Sequence, residues 1–220
     1  GASMSASDQL RIVVRGRQTH GAQPWRGVDP IVLSAQIVSA LQTITARQTD
    51  ITAAPAIVTV GTINGGVRFN IIPDSVIMTG TIRTFDDAMR KDIHLRIART
   101  AEKIAEASGG SATVTITLGG SIVWNDPALT AQMAPTIAKA AGGKVNSNAV
   151  WMPSEDFPSF TKTTPGVYLF LGVNKAGVAV EEAAANHSTK FFVNEDAMPT
   201  GVKALVSLAT DFLASAKTTP

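Results

Sequence analysis

Three histidines, His20, His94 and His187, are the side chains of this sequence best suited to proton transfer or metal binding near neutral pH. His20 lies in RGRQTHGAQPWRGVDP, residues 15–30, among small and polar residues that indicate an exposed loop. A solvated loop histidine and a functional side chain are both compatible with that setting. His94 follows an apolar residue in a charged helical stretch and is expected at the surface. His187, in AAANHSTKFF, is either a loop residue or a metal ligand.

Other polar residues could contact a substrate. The segment SEDF, 154–157, places Glu155 and Asp156 side by side. Adjacent loop residues rarely face one site, so a helix cap followed by a buried phenylalanine is the simpler interpretation. Asn70 is compatible with ordinary turn chemistry, and Arg83 with a solvated charge on a strand. The sequence contains no HxH, HExxH, P-loop or GxSxG motif.

The composition is that of a globular protein, with 45% hydrophobic and 16% charged residues and a net charge of +2. No basic run points to a nucleic acid or a membrane surface as partner. Cysteine is absent, which excludes disulfides, thiolate zinc sites and cysteine nucleophiles. No apolar run approaches the ~18 residues of a membrane span, and no signal peptide is visible. The opening GASMSASDQ resembles the remains of an expression tag.

Hydrophobic periodicity divides residues 10–118 into a β-α-β-β-α-β order. Alternation predicts a strand over 10–14, and Asp29 with Pro30 predicts the start of a helix that runs to about Arg47. Strands over 56–63 and 76–83, a helix between Asp86 and Gly109, and a strand over 113–118 follow. This order predicts a ferredoxin-like α+β domain, with two helices on one face of a four-stranded sheet. The other face of the sheet carries mainly threonine and arginine.

Residues 119–220 are predicted to be part of an α/β layer. Helices are expected over 128–141 and 196–216, the second with an apolar stripe of Val202, Leu205, Val206, Ala209 and Leu213. GVYLFLGV, 166–173, is a continuous apolar run typical of a strand that is buried on both faces of a parallel sheet. This region is too small to close a core of its own.

Five ordered segments together resemble one known family: THGAQPWRGVDPI, GGVRFNIIPDSV, GTIRTFD, SEDF and ANHS with FFVNED. They are similar to the zinc-dependent aminoacylase and carboxypeptidase family, metallopeptidase family twenty. The nearest subgroup is the amidohydrolases related to hippurate hydrolase and indole-acetyl-amino-acid hydrolase. The resemblance covers residues 10–213. It implies a ferredoxin-like lid that dimerises, inserted in an α/β catalytic domain with two divalent metal ions, expected to be zinc.

The resemblance also implies roles for four residues. His20 matches the lid histidine that reaches into the partner subunit's active site and binds the scissile carbonyl and its developing oxyanion. Asn70 and Arg83 match lid residues that bind substrate near that cleft, and His187 matches the last metal ligand. Glu155 and Asp156 receive no catalytic role. Dimerisation is expected through an edge strand or the first helix, where Ile37 and Ile44 widen the apolar stripe into a second packing surface.

The family's other metal ligands and its general base precede the lid, and the sequence contains no match to them. The resemblance therefore implies the lid and C-terminal part of a metal-dependent amidohydrolase that cleaves N-acyl amino acids or similar amides. This chain alone is expected to be inactive and to bind metal weakly, because one histidine cannot hold zinc. The alternative is a non-catalytic dimerisation or ligand-binding module.

Overall fold

The computed structural model describes residues 1–147, 150–175 and 177–216, which fall into two units. The first, called the lid unit below, comprises Ala2–Val123 and Val150–Lys162. The second, the C-terminal unit, comprises Gly1, Trp124–Ala149 and Thr163–Pro220. The segment that contains SEDF thus belongs to the lid unit, although it lies far beyond residue 118 in the sequence.

The lid unit is built on a four-stranded antiparallel sheet. In chain order its elements are β1 (Ala2–Met4), β2 (Ala6–Arg15), β3 (Thr19–His20), α1 (Pro30–Thr43), β4 (Ala56–Gly65), β5 (Ile71–Ile72), β6 (Ser75–Thr84), α2 (Asp87–Ala107), β7 (Ser111–Leu118) and β8 (Val123–Trp124). The spatial order β4-β6-β2-β7 places β4 and β7 at the two edges. A 3-10 turn, Pro24–Arg26, precedes α1, and one π-helical turn, Ile44–Gln48, extends it. The predicted ferredoxin-like fold is confirmed.

The lid core forms where alternation on the strands meets the helical stripes. On β2, the inward positions Leu10, Ile12 and Val14 are buried. They pack with buried residues of the other strands and both helices: Leu33, Ile37, Leu41, Ile44, Val58, Val76, Met78, Ile82, Ile93, Ile97, Ala101 and Ala105. Asp29 and Asp86 cap α1 and α2, because their carboxylates accept backbone N–H groups of the first helical turns. One face of the sheet is thereby covered and the other stays open.

Residues 2–9 are integrated into the lid unit. Strand β2 starts at Ala6, and Met4, Ser5 and Ala6 are buried. The backbone N–H of Ser5 donates to the carbonyl oxygens of Trp151 and Pro153, each at 3.2 Å. This stretch therefore contributes part of a strand and several buried residues. Its resemblance to an expression tag did not predict this structure.

The C-terminal unit is helical where its structure is regular. Its helices are α3 (Pro127–Ala140) and α5 (Met198–Ala216), with 3-10 turns at Val180–Glu182 and Glu195–Ala197; the short helix α4 (Pro158–Thr161) belongs to the lid unit. Helix α3 packs on α5, and the Thr136 hydroxyl donates to the Asp211 carboxylate at 2.6 Å. Among the described residues, no helix is both long enough and apolar enough to cross a membrane.

The prediction of a buried strand over 166–173 is wrong. This segment has no strand partner in the described part of the chain, and Leu169, Phe170 and Leu171 are 39–44% exposed. Its backbone is instead held by the Asn125 side chain, which donates to the Tyr168 carbonyl at 3.1 Å and accepts the Tyr168 N–H at 2.6 Å. An apolar run becomes a strand only when a neighbouring strand satisfies its backbone.

The apolar stripe of α5 is also uncovered. Val202, Leu205, Val206 and Leu213 are 58–70% exposed, although the sequence pattern predicted a buried face. An exposed apolar surface of this size marks an interface or a missing layer of packing. The expectation that this region cannot close its own core agrees with these exposures.

Candidate functional site

His20 lies at an exposed end of the lid unit, and β3 and β5 determine its position. Thr19 and His20 pair antiparallel with Ile72 and Ile71. A tight turn follows directly, in which the Gln23 N–H donates to the His20 carbonyl oxygen at 2.8 Å. The His20 side chain is exposed, so the structure places it in the open loop that the sequence predicted.

The His20 ring is held within this turn. Its Nδ1 atom accepts the backbone N–H of Ala22 at 3.0 Å. A neutral imidazole carries one N–H, so a ring nitrogen that accepts a hydrogen bond has its proton on the other nitrogen. In the neutral ring, the Nε2 atom therefore bears the hydrogen.

Asn70 is the neighbour of this histidine. The Asn70 carbonyl oxygen accepts the N–H of Gly21 at 2.8 Å, next to the β3–β5 pair. A Cβ atom on Gly21 would lie 3.1 Å from that oxygen, so a side chain there would push the two backbones apart. Glycine thus permits the close approach that brings His20 and Asn70 together, and the Asn70 side chain is exposed.

Arg83 lies at the opposite end of the sheet. It belongs to β6, eight residues beyond Ser75, and the rise of a strand places it about 26 Å from the end that adjoins β5. Its Nη1 atom donates to the Ser154 hydroxyl at 2.9 Å, and the residue is half-buried rather than solvated. Within one chain, Arg83 therefore does not meet His20 and Asn70.

The acidic pair of SEDF is exposed. Glu155 and Asp156 precede α4, and the residue buried at this turn is Pro158, whereas Phe157 is only half-buried. The prediction of a buried phenylalanine is therefore wrong, because the buried residue is Pro158. Within SEDF, Ser154 is in contact with the sheet, because its hydroxyl accepts a hydrogen bond from Arg83 of β6.

His187 belongs to the C-terminal unit. It is exposed and adopts a left-handed backbone with φ of 69°, a conformation that costs energy for any residue with a side chain. In the described part of the chain, no group of three or more His, Asp or Glu side chains could hold a metal ion. His187 therefore belongs to no such group there, and the described residues do not supply a complete metal centre.

A buried charge cluster that the sequence interpretation missed lies in the lid unit. Asp8, 1% exposed, forms a two-point ion pair with Arg90, with Nε to Oδ2 at 2.8 Å. Oδ2 also accepts a hydrogen bond from His94 Nε2 at 2.8 Å, and Oδ1 accepts one from the Gly119 N–H at 3.2 Å. The prediction that His94 is a surface residue is wrong, because α2 turns it towards Asp8.

The electrostatics of this cluster follow from its contacts. Burial alone would raise the pKa of Asp8, but the hydrogen bonds and charge of Arg90, with the Gly119 amide and His94, hold that pKa below its ordinary value. The hydrogen bond to Asp8 raises the pKa of Arg90. The pattern was present in the sequence: Asp8 continues the inward alternation of β2, and Arg90 continues the stripe of Ile93 and Ile97.

Comparisons with known proteins show which proteins this chain resembles. The model of the peptidase dimerisation domain matches residues 5–109. Thermostable carboxypeptidase 2 of Saccharolobus solfataricus is 35% identical over 215 residues, which are 96% of this chain and 53% of the relative. N-acetyl-L-cysteine deacetylase of Bacillus subtilis is 36% identical over 174 residues, 79% of this chain and 41% of the relative. The chain spans about half the length of the curated relatives it matches.

A solved structure extends the match to the fold. The YxeP protein of Bacillus subtilis, described as a dinuclear metal-binding peptidase of the M20 family, superposes with a TM-score of 0.77 at 25% identity and covers 97% of this chain and 52% of that protein. The match includes the lid unit and the C-terminal unit alike. With its dimerisation domain at residues 5–109, the chain belongs to the M20 family of metallopeptidases.

Proposed function

We propose that the chain is the lid and C-terminal part of a metal-dependent amidohydrolase that hydrolyses N-acyl amino acids or similar amides. The observation that carries the proposal is the backbone contact that brings Asn70 next to the His20 turn, in which the Gly21 N–H donates to the Asn70 carbonyl oxygen at 2.8 Å, at an exposed end of a dimerisation domain. Relatives named as N-acetyl-L-cysteine deacetylase, N-acetyldiaminopimelate deacetylase and IAA-amino acid hydrolase support this substrate class.

His20 is suited to bind the oxygen on which charge develops. Amide hydrolysis passes through a tetrahedral intermediate whose oxygen is negatively charged, and fixed hydrogen-bond donors stabilise that charge. The Nε2–H of His20 is such a donor, and the Asn70 amide beside it can bind a second polar atom of the substrate. Arg83 can bind a carboxylate through its guanidinium group.

The distance along β6 favours a site that is shared by two subunits. Arg83 lies about 26 Å from the end that carries His20 and Asn70, too far for both to contact one small substrate. In a symmetric dimer, His20 and Asn70 of one lid can meet the Arg83 end of its partner. This composite arrangement explains why His20 is exposed: its target belongs to another copy of the chain.

The complete enzyme is proposed to use two divalent metal ions, zinc by family resemblance, with His187 as one ligand. The strained backbone of His187 supports a functional role for that residue. The remaining ligands and the general base would lie outside this chain, in a part of the relatives that it does not cover. That part would also cover the apolar stripe of α5 and the segment 166–173.

The dimer interface is proposed to be the side formed by α1 and β4. Neither α1 nor β4 contains a charged residue, and Ile31 and Val32 of α1 are 44% and 52% exposed. Helix α2, over β7, is rich in charged residues. An uncharged edge strand favours pairing with another chain. Ile37 and Ile44, which were expected to provide the interface, are instead fully buried in the lid core.

Charge placed on this side should abolish the dimer. Wild type is expected to scatter light as a dimer at low micromolar concentration, and the double variant Val32→Lys with Thr59→Lys as a monomer, because lysine on an edge opposes pairing. The matched control, Leu95→Lys with Thr115→Lys, alters the exposed side of α2 and β7 and should remain dimeric. A monomeric wild type, or a control that dissociates like the test variant, would contradict this interface.

The 220-residue chain by itself should hydrolyse no N-acyl amino acid and should bind zinc weakly. It supplies the donor His20 and one candidate ligand, His187, and lone groups give positioning without a nucleophile. Calorimetric titration with zinc and a hippurate hydrolysis assay measure both properties. Micromolar or tighter zinc binding together with turnover would mean that the chain holds a complete site.

The gene sequence upstream of Met4 separates this proposal from the alternative, a non-catalytic dimerisation or ligand-binding module. The amidohydrolase requires a preceding region that contains metal ligands and an acidic general base. A gene that encodes no such region would favour the module.

A further inference from the structure

In the turn that follows His20, the imidazole ring of His20 accepts one of the backbone hydrogen bonds. The Gln23 N–H closes the turn on the His20 carbonyl oxygen at 2.8 Å, while the Ala22 N–H donates to His20 Nδ1 at 3.0 Å. A side chain that accepts the N–H two residues ahead is the arrangement of an Asx turn, with the ring nitrogen in place of a carboxylate oxygen. The ring is therefore part of the turn.

We propose that Ala22 is a positioning residue for His20. Its backbone N–H selects the tautomer with the proton on Nε2, so the lid presents a hydrogen-bond donor to the substrate and no accepting lone pair. Which ring nitrogen carries the proton is set by the bond that the other nitrogen makes. This inference rests on the proposed hydrolase function, because it specifies which atom of His20 binds the developing oxyanion.

The backbone around the turn makes this selection rigid. Pairing of β3 with β5 holds the start of the turn, and the Gly21 N–H to Asn70 bond of 2.8 Å holds the next residue. The Ala22 N–H therefore has a fixed direction, and the ring loses its bond if it rotates. A donor that is oriented before the substrate arrives stabilises charge without reorganisation.

The tautomer also restricts what His20 can do. With Nδ1 engaged by Ala22 and Nε2 protonated, the neutral ring offers no free lone pair. A general base and a metal ligand both need such a lone pair. His20 is therefore a donor in the reaction, and proton abstraction and metal binding belong to other residues.

Nitrogen NMR on the 220-residue chain tests the hydrogen bond directly, since the chain has only three histidines. At a pH where His20 is neutral, we expect a through-bond coupling between the Ala22 amide nitrogen and His20 Nδ1, and a ring almost wholly in the Nε2–H form. Ala22→Pro removes the donor and should abolish the coupling and return the tautomer ratio to that of a free histidine peptide. Ala22→Gly keeps the N–H and should retain both signals.

The outcome that overturns the inference is a wild-type spectrum without the coupling and with the tautomer ratio of a free peptide. This measurement uses the unchanged chain, so a folding defect of Ala22→Pro does not affect it. Because it reports the ring and not the reaction, it stays valid even if the proposed hydrolase function is wrong.

Two isosteric variants in the full-length protein test the donor role. Glutamine can place an amide N–H near the position of Nε2, whereas asparagine can accept the Ala22 N–H but reaches no further. His20→Gln should keep kcat within about tenfold of wild type, and His20→Asn should lose about 10²-fold. If both variants are fully active while the coupling is observed, His20 is not the donor and its proposed function is wrong. The hydrogen bond between Ala22 and the ring would still be correct.

Discussion

Replacing His20 with alanine in the full-length protein is expected to lower kcat by about 10²-fold or more, with little change in stability. Removal of one donor from a dry oxyanion site typically has this effect on the rate. His20 contributes no core packing, because its side chain is exposed. Steady-state kinetics on an N-acyl amino acid and a thermal unfolding curve of the same variant measure the two quantities.

Mixed dimers decide whether His20 acts on the partner subunit. Arg83→Ala should also be nearly inactive, because Arg83 serves the other half of each composite site. When His20→Ala and Arg83→Ala subunits are combined, a heterodimer contains one intact site and one doubly altered site. Random mixing of a two-fold symmetric dimer should then restore about a quarter of the wild-type activity.

The control for this experiment is each variant mixed with itself, which can form no intact site. If the mixture of the two variants is as inactive as those controls, both residues serve the same subunit and the composite site is wrong. A ~26 Å separation along β6 would then need a large movement within the chain, because packed sheets do not deform continuously.

Periodicity predicted the lid because each of its elements is half-buried. The alternation of β2 and the helical stripes of α1 and α2 follow from one covered face, so each long element was predicted within about four residues at each end. The same reasoning failed at 166–173 and on α5. There the apolar pattern predicts burial, but these side chains are exposed in the described part of the chain.

The proximity of Asn70 to the His20 turn could not be predicted from periodicity. Strands β3 and β5 contain two residues each, which is too short for any alternation to be visible. Both residues were predicted as site residues from the family resemblance. The Ala22 bond to the ring depends on a turn conformation that no sequence pattern specifies.

Asp8→Ala is expected to lower the free energy of unfolding of the chain by about 3–5 kcal/mol at pH 7. The variant removes the buried partner of the Arg90 charge, which is 8% exposed, and leaves it only the exposed Asp87 carboxylate at 4.0 Å; breaking a buried ion pair costs about this much. The matched control is Asp92→Ala, which removes a carboxylate from the exposed ion pair with Arg96 on α2. That change should cost at most about 1 kcal/mol, the usual range for surface pairs.

The effect of Asp8 should depend on pH in one direction. Its pKa is lower in the folded state than its ordinary value of 3.8, so the carboxylate stabilises the fold fully above that value, and the stabilisation is lost as the pH falls through the folded pKa. The difference in unfolding free energy between wild type and Asp8→Ala should therefore be smaller at pH 3.5 than at pH 5, because protonation of the carboxyl removes its stabilisation. Urea unfolding at pH 7, 5 and 3.5 measures it. An equal loss for Asp8→Ala and Asp92→Ala at pH 7 would mean that the buried cluster contributes no more than a surface pair.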